Sequence, residues 1–216
     1  MAERKGLLIT FEGIDGSGKS THLRRLAGWL ESQGLVYKTY AEPGGTALGQ
    51  IIRDILLKNG EPIDIRTEAL LFLAARAELA ATVLLPQLSA GTIILLDRFT
   101  DSTIAYQGYG RGIDLGDLTA MTKFSAQGLE PDITFFLDIL PEQALRRCRR
   151  PHQPLDRFES AGLGYFTKVR EGYLALATAH QKRIHILDSS LSIEAVSKRI
   201  VETTSLKLIN TGHVVK

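Results

Sequence analysis

Residues 13–20 of this chain read GIDGSGKS, which matches the phosphate-binding pattern G-x-x-x-x-G-K-[ST] at every position. Its glycines allow backbone N–H groups to turn inward around phosphate oxygens. In a loop of this kind Lys19 reaches the β- and γ-phosphates, and the Ser20 hydroxyl can bind Mg²⁺. The loop predicts a site for a nucleoside triphosphate, but it does not name the reaction.

The segments on either side of this loop fit that prediction. Residues 7–12 (LLITFE) form an apolar run that is typical of a buried parallel strand. After the loop, Leu23, Leu26 and Leu30 recur at helical spacing. A strand, a glycine-rich loop and a helix in this order turn a pattern match into a structural site.

The rest of the chain alternates between strand-like and helix-like segments, which predicts an α/β fold with a parallel sheet covered by helices. No internal repeat or low-complexity linker divides the chain, so residues 1–216 are expected to form a single domain. The predicted strands are 7–12, 35–41, 92–97, 132–138 and 184–188. The predicted helices are 19–33, 47–58, 65–88, 102–109, 114–128, 141–149, 162–182 and 192–204. The tail from about residue 205 to residue 216 is weakly patterned and could add an edge strand or fray.

The composition is that of an ordinary soluble globular protein of 216 residues, 44% of them hydrophobic and 23% charged. A net charge of +2 is too small to argue for a nucleic-acid partner. Cys148 is the single cysteine, so no internal disulfide can form. The N-terminus carries no apolar signal segment, and no later stretch reaches about 20 apolar residues. We therefore expect a cytoplasmic enzyme without a membrane span.

A second signal lies where the predicted strand 92–97 ends. This segment is apolar until Asp97, which puts a carboxylate at the carboxyl end of a core strand, where open α/β sheets bind ligands. Arg98 follows it. Because a guanidinium binds phosphate bidentately and cannot act as a base at neutral pH, the site is expected to hold a second phosphate rather than activate water. A GTPase is disfavoured, since no Asn-Lys-x-Asp segment and no Asp-x-x-Gly segment follow this strand.

Other segments supply side chains suited to a nucleotide. Residues 42–46 (EPGGT) form a shaped turn before a helix whose positive N-terminus can bind an anion, and Arg53 lies inside that helix. Phe72 and Arg76 share one helix face, where an aromatic plane and a guanidinium could stack a base and donate to its carbonyl edge. Taken alone, this pair would more simply be a core phenylalanine and a solvated arginine. Hydroxyl and amide groups recur at helical spacing beyond Arg98, at Ser102, Thr103, Tyr106 and Gln107.

Several segments, in this order, resemble thymidylate kinases of the bacterial type. They are residues 11–21 (FEGIDGSGKST), 42–46 (EPGGT), 97–99 (DRF) with Ser102 and 105–108 (AYQG), and 156–159 (DRFE). The resemblance runs from the phosphate-binding loop to about residue 190. It implies a P-loop fold like that of nucleoside-monophosphate kinases, with a five-stranded parallel sheet and a short lid at about 149–158. It also implies transfer of the γ-phosphate of ATP to dTMP, giving dTDP, with Mg²⁺ as a cofactor, and a homodimer that could use the 65–88 and 114–128 helices.

The resemblance implies two sets of nucleotide-binding residues. Those expected to bind ATP are Gly13, Ile14, Asp15, Gly16, Ser17, Gly18, Lys19, Ser20 and Thr21, with residues 187–190 as a candidate neighbour of the adenine. Those expected to bind dTMP are Asp15, Arg53, Phe72, Arg76, Arg98, Ser102, Thr103, Tyr106 and Gln107.

For the acceptor nucleoside, the resemblance implies that Phe72 stacks on thymine and that Arg76 contacts its O4 edge. Thr103 would meet the N3 side of the base, with Gln107 close to it. Tyr106 would crowd the sugar 2′ position, which favours deoxyribose.

For the phosphates, the resemblance implies that Arg98 and Arg53 hold the acceptor phosphate. Asp15 would accept a hydrogen bond from the 3′-hydroxyl near the transferred group. Asp97 would lie near Mg²⁺ and its waters, on the side where Ser20 also contributes a hydroxyl.

The resemblance also bears on whether a catalytic arginine lies in the loop or in the lid. Some members of the family carry an arginine at the position of Gly16, and this chain does not. The lid arginines Arg149, Arg150 and Arg157 are expected to supply that charge, which makes them catalytic by implication. The chain also departs from many members at Ala41, where an arginine is common, and this loss puts the ion pairing around residue 42 in question.

Two alternatives remain open from the sequence. A UMP/CMP kinase or a deoxynucleoside kinase would share the architecture, and a deoxynucleoside kinase would need a carboxylate base such as Glu12 or Asp15. A P-loop ATPase or switch belongs to a different class, and it predicts a carboxylate after Asp97, where this chain has Arg98.

Overall fold

The computed structural model describes residues 6–58, 62–148 and 162–211. Its strands are β1 (Leu8–Glu12), β2 (Tyr37–Ala41), β3 (Ile93–Asp97), β4 (Ile133–Asp138) and β5 (Ile184–Asp188). Its α-helices are α1 (Lys19–Ser32), α2 (Ala47–Lys58), α3 (Ile65–Leu79), α4 (Leu85–Ser89), α5 (Thr100–Thr103), α6 (Leu115–Ser125), α7 (Pro141–Cys148), α8 (Leu163–Ala179) and α9 (Ile193–Asn210). Two π-helical segments complete the set, π1 (Ala80–Leu84) and π2 (Ile104–Gly110).

The five strands form one parallel sheet in the order β2-β3-β1-β4-β5. All five residues of β1 are buried, because helices cover both faces of the sheet, and this explains why the strand reads as an unbroken apolar run. In the pairing of β1 with β3, Phe11 lies opposite Asp97. The phosphate-binding loop that follows β1 therefore lies beside the carboxyl end of β3.

Alternate residues of the central strands pack against different helices. Ile9 of β1 belongs to a core cluster with Leu26 of α1 and Ile200 of α9. Leu8, its neighbour in sequence, belongs to a second cluster with Leu88 of α4. Helices thus pack on both faces of the sheet, and its carboxyl edge remains available for a binding site.

The predicted strands are confirmed, and their carboxyl ends coincide with the predicted ones at residues 12, 41, 97, 138 and 188. The helix predicted over 65–88 is interrupted by π1, and the helix predicted over 102–109 is α5 followed by π2. α8 ends at Ala179, three residues before the predicted end.

The expectation that residues from 205 onward add a strand or fray is wrong as far as Asn210, because α9 continues to that residue. Val196, Ile200, Thr204 and Leu208 are all buried on this helix, so its inner face repeats every four residues. A threonine at the third of these positions hides the repeat from a count of apolar residues.

Within the described residues, the helical run Ile65–Ser89 is long and apolar enough to cross a membrane by length and composition alone. Core helices of soluble proteins pass the same test. Here the run carries Glu68 and Arg76, whose side chains are buried in hydrogen bonds and ion pairs with other elements.

Candidate active site

The residues predicted for the site surround one pocket of about 860 Å³ at the carboxyl edge of the sheet. Those that line it are Asp15, Gly16, Ser17, Gly18, Lys19, Ser20, Thr21, Arg53, Phe72, Arg76, Asp97, Arg98, Ser102, Thr103, Tyr106 and Gln107. Gly13 and Ile14 are not among the described lining residues, but their carbonyl oxygens accept hydrogen bonds from Lys19, which is. The predicted lid arginines, Arg149, Arg150 and Arg157, lie outside the described residues.

Glycine is required at the bends of the phosphate-binding loop. Gly13, Gly16 and Gly18 have φ values of 136°, 80° and 95°, a region that residues with a Cβ rarely adopt. At Gly16 space is also lacking, because an added Cβ would collide with the carbonyl oxygen of Ala144 and come within 3.0 Å of Cys148 Sγ. Helix α7 therefore backs the loop so closely that position 16 has no room for a side chain.

Lys19 is held by the loop that it belongs to. Its Nζ donates to the carbonyl oxygens of Gly13 (3.1 Å) and Ile14 (3.2 Å), and it lies 3.8 Å from Asp15 Oδ1. Burial raises the pKa of Asp15, but the positive charges of Arg98 and Lys19 together bring it below its ordinary value. Asp15 is therefore ionised and poorly suited to act as a base.

Ser20 and Asp97 meet across the junction of α1 and β3. The Ser20 hydroxyl donates to Asp97 Oδ2 at 2.9 Å. Among residues 6–58, 62–148 and 162–211 no group of three or more His, Cys, Asp or Glu side chains is placed to hold a metal ion. A hydroxyl and a carboxylate suit Mg²⁺, which prefers oxygen ligands and takes the rest from water and substrate phosphates.

Arg98 is fixed between the phosphate-binding loop and π2. Its φ of 70° lies in the left-handed region, which is uncommon for a residue with a side chain. Its Nη2 donates to Asp15 Oδ1 (2.6 Å) and to Tyr106 Oη (2.9 Å), and its Nη1 donates to the Gly13 carbonyl (2.9 Å). The guanidinium also lies over the Tyr106 ring, with Cζ 4.8 Å from the centroid. A cation is thus held directly beside the loop that would bind the donor phosphates.

Glu12, the last residue of β1, stabilises the segment that follows Arg98. Its carboxylate accepts hydrogen bonds from the Phe99 N–H (2.7 Å), the Ser102 hydroxyl (2.5 Å) and the Tyr173 hydroxyl (3.0 Å). Burial, with a smaller contribution from the Asp101 charge, raises the pKa of Glu12 to about 7. The sequence offered Glu12 as a possible base, but the side chain is fully buried and is not among the described residues that line the pocket.

Arg76 is buried and ion-paired. Its Nε and Nη2 donate to Glu42 Oε2 at 2.9 and 2.7 Å. Glu42 is therefore ion-paired although the residue before it is alanine and not arginine. Arg76 Nη1 donates to Thr103 Oγ1 at 2.8 Å, and Nη2 also donates to the Phe99 carbonyl at 3.0 Å. The simpler interpretation of a solvated arginine is therefore wrong, since only 2% of this residue is exposed.

Phe72 and Arg53 reach the same pocket from α3 and α2. Phe72 is half-buried, so its ring borders the pocket as well as the core. Arg53 Nη1 donates to the Pro43 carbonyl at 2.9 Å, which ties α2 to the turn that follows β2.

Gln107 is oriented by a buried carboxylate. Its Nε2 donates to Glu68 Oε1 at 3.1 Å. Arg111 donates to both oxygens of Glu68, from Nε at 3.2 Å and from Nη2 at 3.1 Å. Glu68, Arg111 and Tyr173 are not predicted from the sequence, because a charged or aromatic residue on a helix gives no local signal of the partner that it will meet.

Helix α7 and the turn after β5 also contribute to the pocket. Arg147 and Ser189 line it, and Arg147 Nη2 donates to the Ser189 carbonyl at 3.0 Å. The Ser189 hydroxyl donates to the carbonyl of Ser17 in the phosphate-binding loop. Part of the predicted stretch 187–190 thus borders the loop side of the pocket.

Comparison with known proteins gives consistent matches over nearly the whole chain. The family model described as "Thymidylate kinase" matches residues 11–200. A thymidylate kinase of Kosmotoga olearia is 42% identical over 207 residues, which are 96% of this chain and 99% of the relative. One of Prosthecochloris aestuarii is 46% identical over 205 residues, 91% of this chain and 92% of the relative.

The fold has a solved counterpart. The crystal structure of a thymidylate kinase from Ehrlichia chaffeensis matches with a TM-score of 0.75 at 32% sequence identity. The match covers 93% of this chain and 98% of that one.

Proposed function

Because this chain belongs to the thymidylate kinase family and converts dTMP to dTDP with ATP, we propose that the pocket at the carboxyl edge of the sheet holds both nucleotides. The observation that carries this proposal is the position of Arg98. Its guanidinium contacts both Gly13 and Asp15, so a phosphate bound by it would face the donor phosphates directly.

On the donor side, the loop residues from Gly13 to Thr21 bind the phosphates of ATP, and Lys19 exchanges its loop carbonyl partners for phosphate oxygens. Ser20 and Asp97 hold Mg²⁺, which supplies positive charge to the phosphates when it is bound. Their oxygens already lie 2.9 Å apart, so the two side chains face a common point.

On the acceptor side, Arg98 and Arg53 bind the phosphate of dTMP. This phosphate is anionic at neutral pH, so its oxygen needs no general base. The difficulty is to bring two polyanions together, and positioning and charge neutralisation are what a protein can supply to a loose transition state. A cationic group at the transferred phosphoryl is worth roughly 10³-fold or more in rate.

The nucleoside of dTMP occupies the part of the pocket between α3 and π2. Phe72 stacks on the base, and Arg76 donates to its O4 from a position fixed by Glu42. Thr103 and Gln107 face the N3 side, and Tyr106 excludes a 2′-hydroxyl. Ser102 supports Arg98, and Asp15 accepts from the 3′-hydroxyl.

The proposal also includes the lid, which lies outside the described residues. Arg149, Arg150 and Arg157 supply the cations over the transferred phosphoryl that position 16 cannot carry. Lid closure would also exclude water and protect ATP from hydrolysis.

Further parts of the proposal concern the whole chain. Residues 1–216 act as one domain, the enzyme works in the cytoplasm without nucleic-acid or membrane partners, and two copies associate. Support for association comes from large apolar side chains exposed on helices that pack side by side: Ile51 of α2, Leu70 of α3 and Phe124 of α6.

The alternatives have less support. A deoxynucleoside kinase needs a free carboxylate base, whereas Glu12 is buried beneath three hydrogen bonds and Asp15 is paired with two cations. A P-loop ATPase needs a group that activates water after Asp97, where Arg98 stands.

One coupled assay tests the function. ADP release from MgATP is measured with dTMP, dUMP, UMP, CMP, thymidine or no acceptor, with Lys19→Ala as the inactive control. We expect strong dependence on dTMP. Equal ADP release without an acceptor, or a preference for thymidine, would contradict the proposal.

A further inference from the structure

We propose that Glu68, which is not among the described residues lining the pocket, sets the selectivity for thymine over cytosine by fixing the orientation of the Gln107 side-chain amide. This inference rests on the proposed function, since it assumes that the base of the acceptor lies beside Gln107. It assigns to Glu68 a positioning role, because Glu68 acts through Gln107 and does not touch the nucleotide.

The contact between the two side chains is enclosed. Glu68 is fully buried and Gln107 is only 2% exposed. Gln107 Nε2 lies 3.1 Å from Glu68 Oε1, and Gln107 lines the pocket on its other side. The amide is therefore placed between a buried carboxylate and the space for the ligand.

A carboxylate allows only one orientation of this amide. Both oxygens of Glu68 accept hydrogen bonds from Arg111, so the NH₂ end of Gln107 must face them. The opposite orientation would put the amide oxygen against a carboxylate oxygen in a buried site, with no donor between the two oxygens. Gln107 Oε1 has no hydrogen-bond partner within residues 6–58, 62–148 and 162–211, so it is the atom left for a ligand.

Arg111 holds the Glu68 carboxylate in place. It donates to both carboxylate oxygens, and its guanidinium lies over the Tyr165 ring, with Cζ 4.9 Å from the centroid. Since the pair is fixed on both sides, the carboxylate cannot turn away from Gln107. The contacts that run from Tyr165 through Arg111 and Glu68 to Gln107 thus leave one acceptor atom, Gln107 Oε1, for the pocket.

An acceptor at this place distinguishes the pyrimidines. Thymine and uracil carry an N3–H donor, whereas N3 of cytosine is itself an acceptor. Gln107 Oε1 can receive the N3–H of thymine, but it would face a lone pair of cytosine. Buried polar groups left unpaired by the wrong substrate are what give such sites large selectivity.

The test compares kcat/KM for dTMP and dCMP in wild type, Glu68→Gln and Glu68→Asp. An amide at position 68 can donate as well as accept, so Gln107 becomes free to turn. We expect Glu68→Gln to lower the dTMP-to-dCMP ratio by roughly tenfold or more, mainly through KM for dTMP. Glu68→Asp keeps an acceptor-only partner, and we expect its ratio to stay within about twofold of wild type.

A double-mutant cycle separates this role from general support of the fold. In a Gln107→Leu background there is no amide to orient, so Glu68→Gln should leave the ratio unchanged. Because Glu68→Gln leaves Arg111 without its charge partner, the paired variant Glu68→Gln/Arg111→Gln carries the same test if the single variant does not fold.

Two results would overturn the inference: an unchanged ratio in Glu68→Gln and in the paired variant, or an equal loss with and without Gln107. A wild type that does not phosphorylate dTMP would overturn the proposed function as well, so the two failures are distinguishable.

Discussion

Arg98 combines an uncommon backbone conformation with a full set of contacts. Its φ of 70° turns the side chain back towards the phosphate-binding loop, where Asp15 and the Gly13 carbonyl receive it. Such strain persists only where surrounding contacts enforce it. Here the Phe99 N–H, the next donor along the chain, is bound by the buried Glu12 carboxylate. The position of the Arg98 guanidinium therefore depends on a residue at the end of another strand.

We expect Arg98→Ala to lower kcat/KM for dTMP by roughly 100-fold or more, because charged hydrogen bonds contribute about 1.5–3 kcal/mol each. KM for dTMP should rise and kcat should fall, while ATP binding stays nearly intact. Steady-state kinetics measure this, with Arg25→Ala as the control, since Arg25 pairs with Glu194 at the surface. Normal dTMP kinetics in Arg98→Ala would remove the assigned role.

Glu12 gives a prediction about pH. Its folded pKa of about 7 lies above its unfolded value of 4.5, so folding favours the protonated form. The stabilisation from this group is fully present below pH 4.5 and is lost as the pH rises through 7. At about 1.4 kcal/mol per pKa unit, the loss is on the order of 3 kcal/mol.

Glu12→Gln removes this titration. We expect the free energy of unfolding of wild type, relative to Glu12→Gln, to fall between pH 4.5 and pH 7. Denaturant titrations at pH 5, 6, 7 and 8 measure the difference. A difference that stays constant over this range would show that Glu12 does not titrate as described.

At the scale of elements, the helices around the pocket are less regular than their sequences indicate. The run from 65 to 89 contains π1, and the segment after Arg98 passes from α5 into π2. Apolar spacing predicts that these segments are helical. It does not reveal where the hydrogen bonds change from the i→i+4 pattern of an α-helix to the i→i+5 pattern of a π turn. π2 carries Tyr106 and Gln107, so this irregularity affects which side chains reach the pocket.

Two contacts between a glycine and a tyrosine ring let π2 pack closely against α8. An added Cβ at Gly172 of α8 would lie 2.8 Å from the Tyr109 ring, and one at Gly110 would lie 2.6 Å from the Tyr165 ring. Each glycine thus accepts a ring from the opposite element. The close approach places Tyr173 where its hydroxyl can reach Glu12.

We expect Gly172→Ala to destabilise the protein by about 1–3 kcal/mol, because the new methyl group overpacks this contact. The control is Gly28→Ala on α1, where an added Cβ meets no atom within 4 Å. That change should stabilise by about 0.5–1 kcal/mol, since alanine is the better helix former. Denaturant unfolding of both variants measures the contrast, and effects of the same sign would contradict it.

At the scale of the whole molecule, the strand order explains how distant segments form one site. β1 and β3 are neighbours, so the loop after one and the Asp97-Arg98 pair after the other meet at the same edge. The sequence predicted this edge well, because the strand ends are marked by polar residues after apolar runs. It did not predict the buried charge pairs, since Arg76 meets Glu42 across 34 residues and Arg111 meets Glu68 across 43. Such pairs depend on the packing of several helices, which no local pattern specifies.

Association of two chains gives a prediction at this scale. Phe124 is 86% exposed on α6, which packs against α3, and α3 in turn packs against α2. We expect Phe124→Asp to shift the protein from dimer to monomer in light scattering coupled to size exclusion. Leu206→Asp on α9, where Leu206 is 65% exposed, should leave the mass unchanged. A monomeric wild type would contradict the proposed homodimer.

The close fit of α7 against Gly16 also bears on how enzymes of this kind can change over evolution. The substitution Gly16→Arg is not tolerated here on its own, because an added Cβ would collide with the Ala144 carbonyl oxygen and the backbone there disfavours any side chain. Helix α7 would have to shift before such a mutation could be tolerated. In this chain the packing of helix α7 thus excludes an arginine in the loop, and a variant that gained one would need compensating changes outside the phosphate-binding loop.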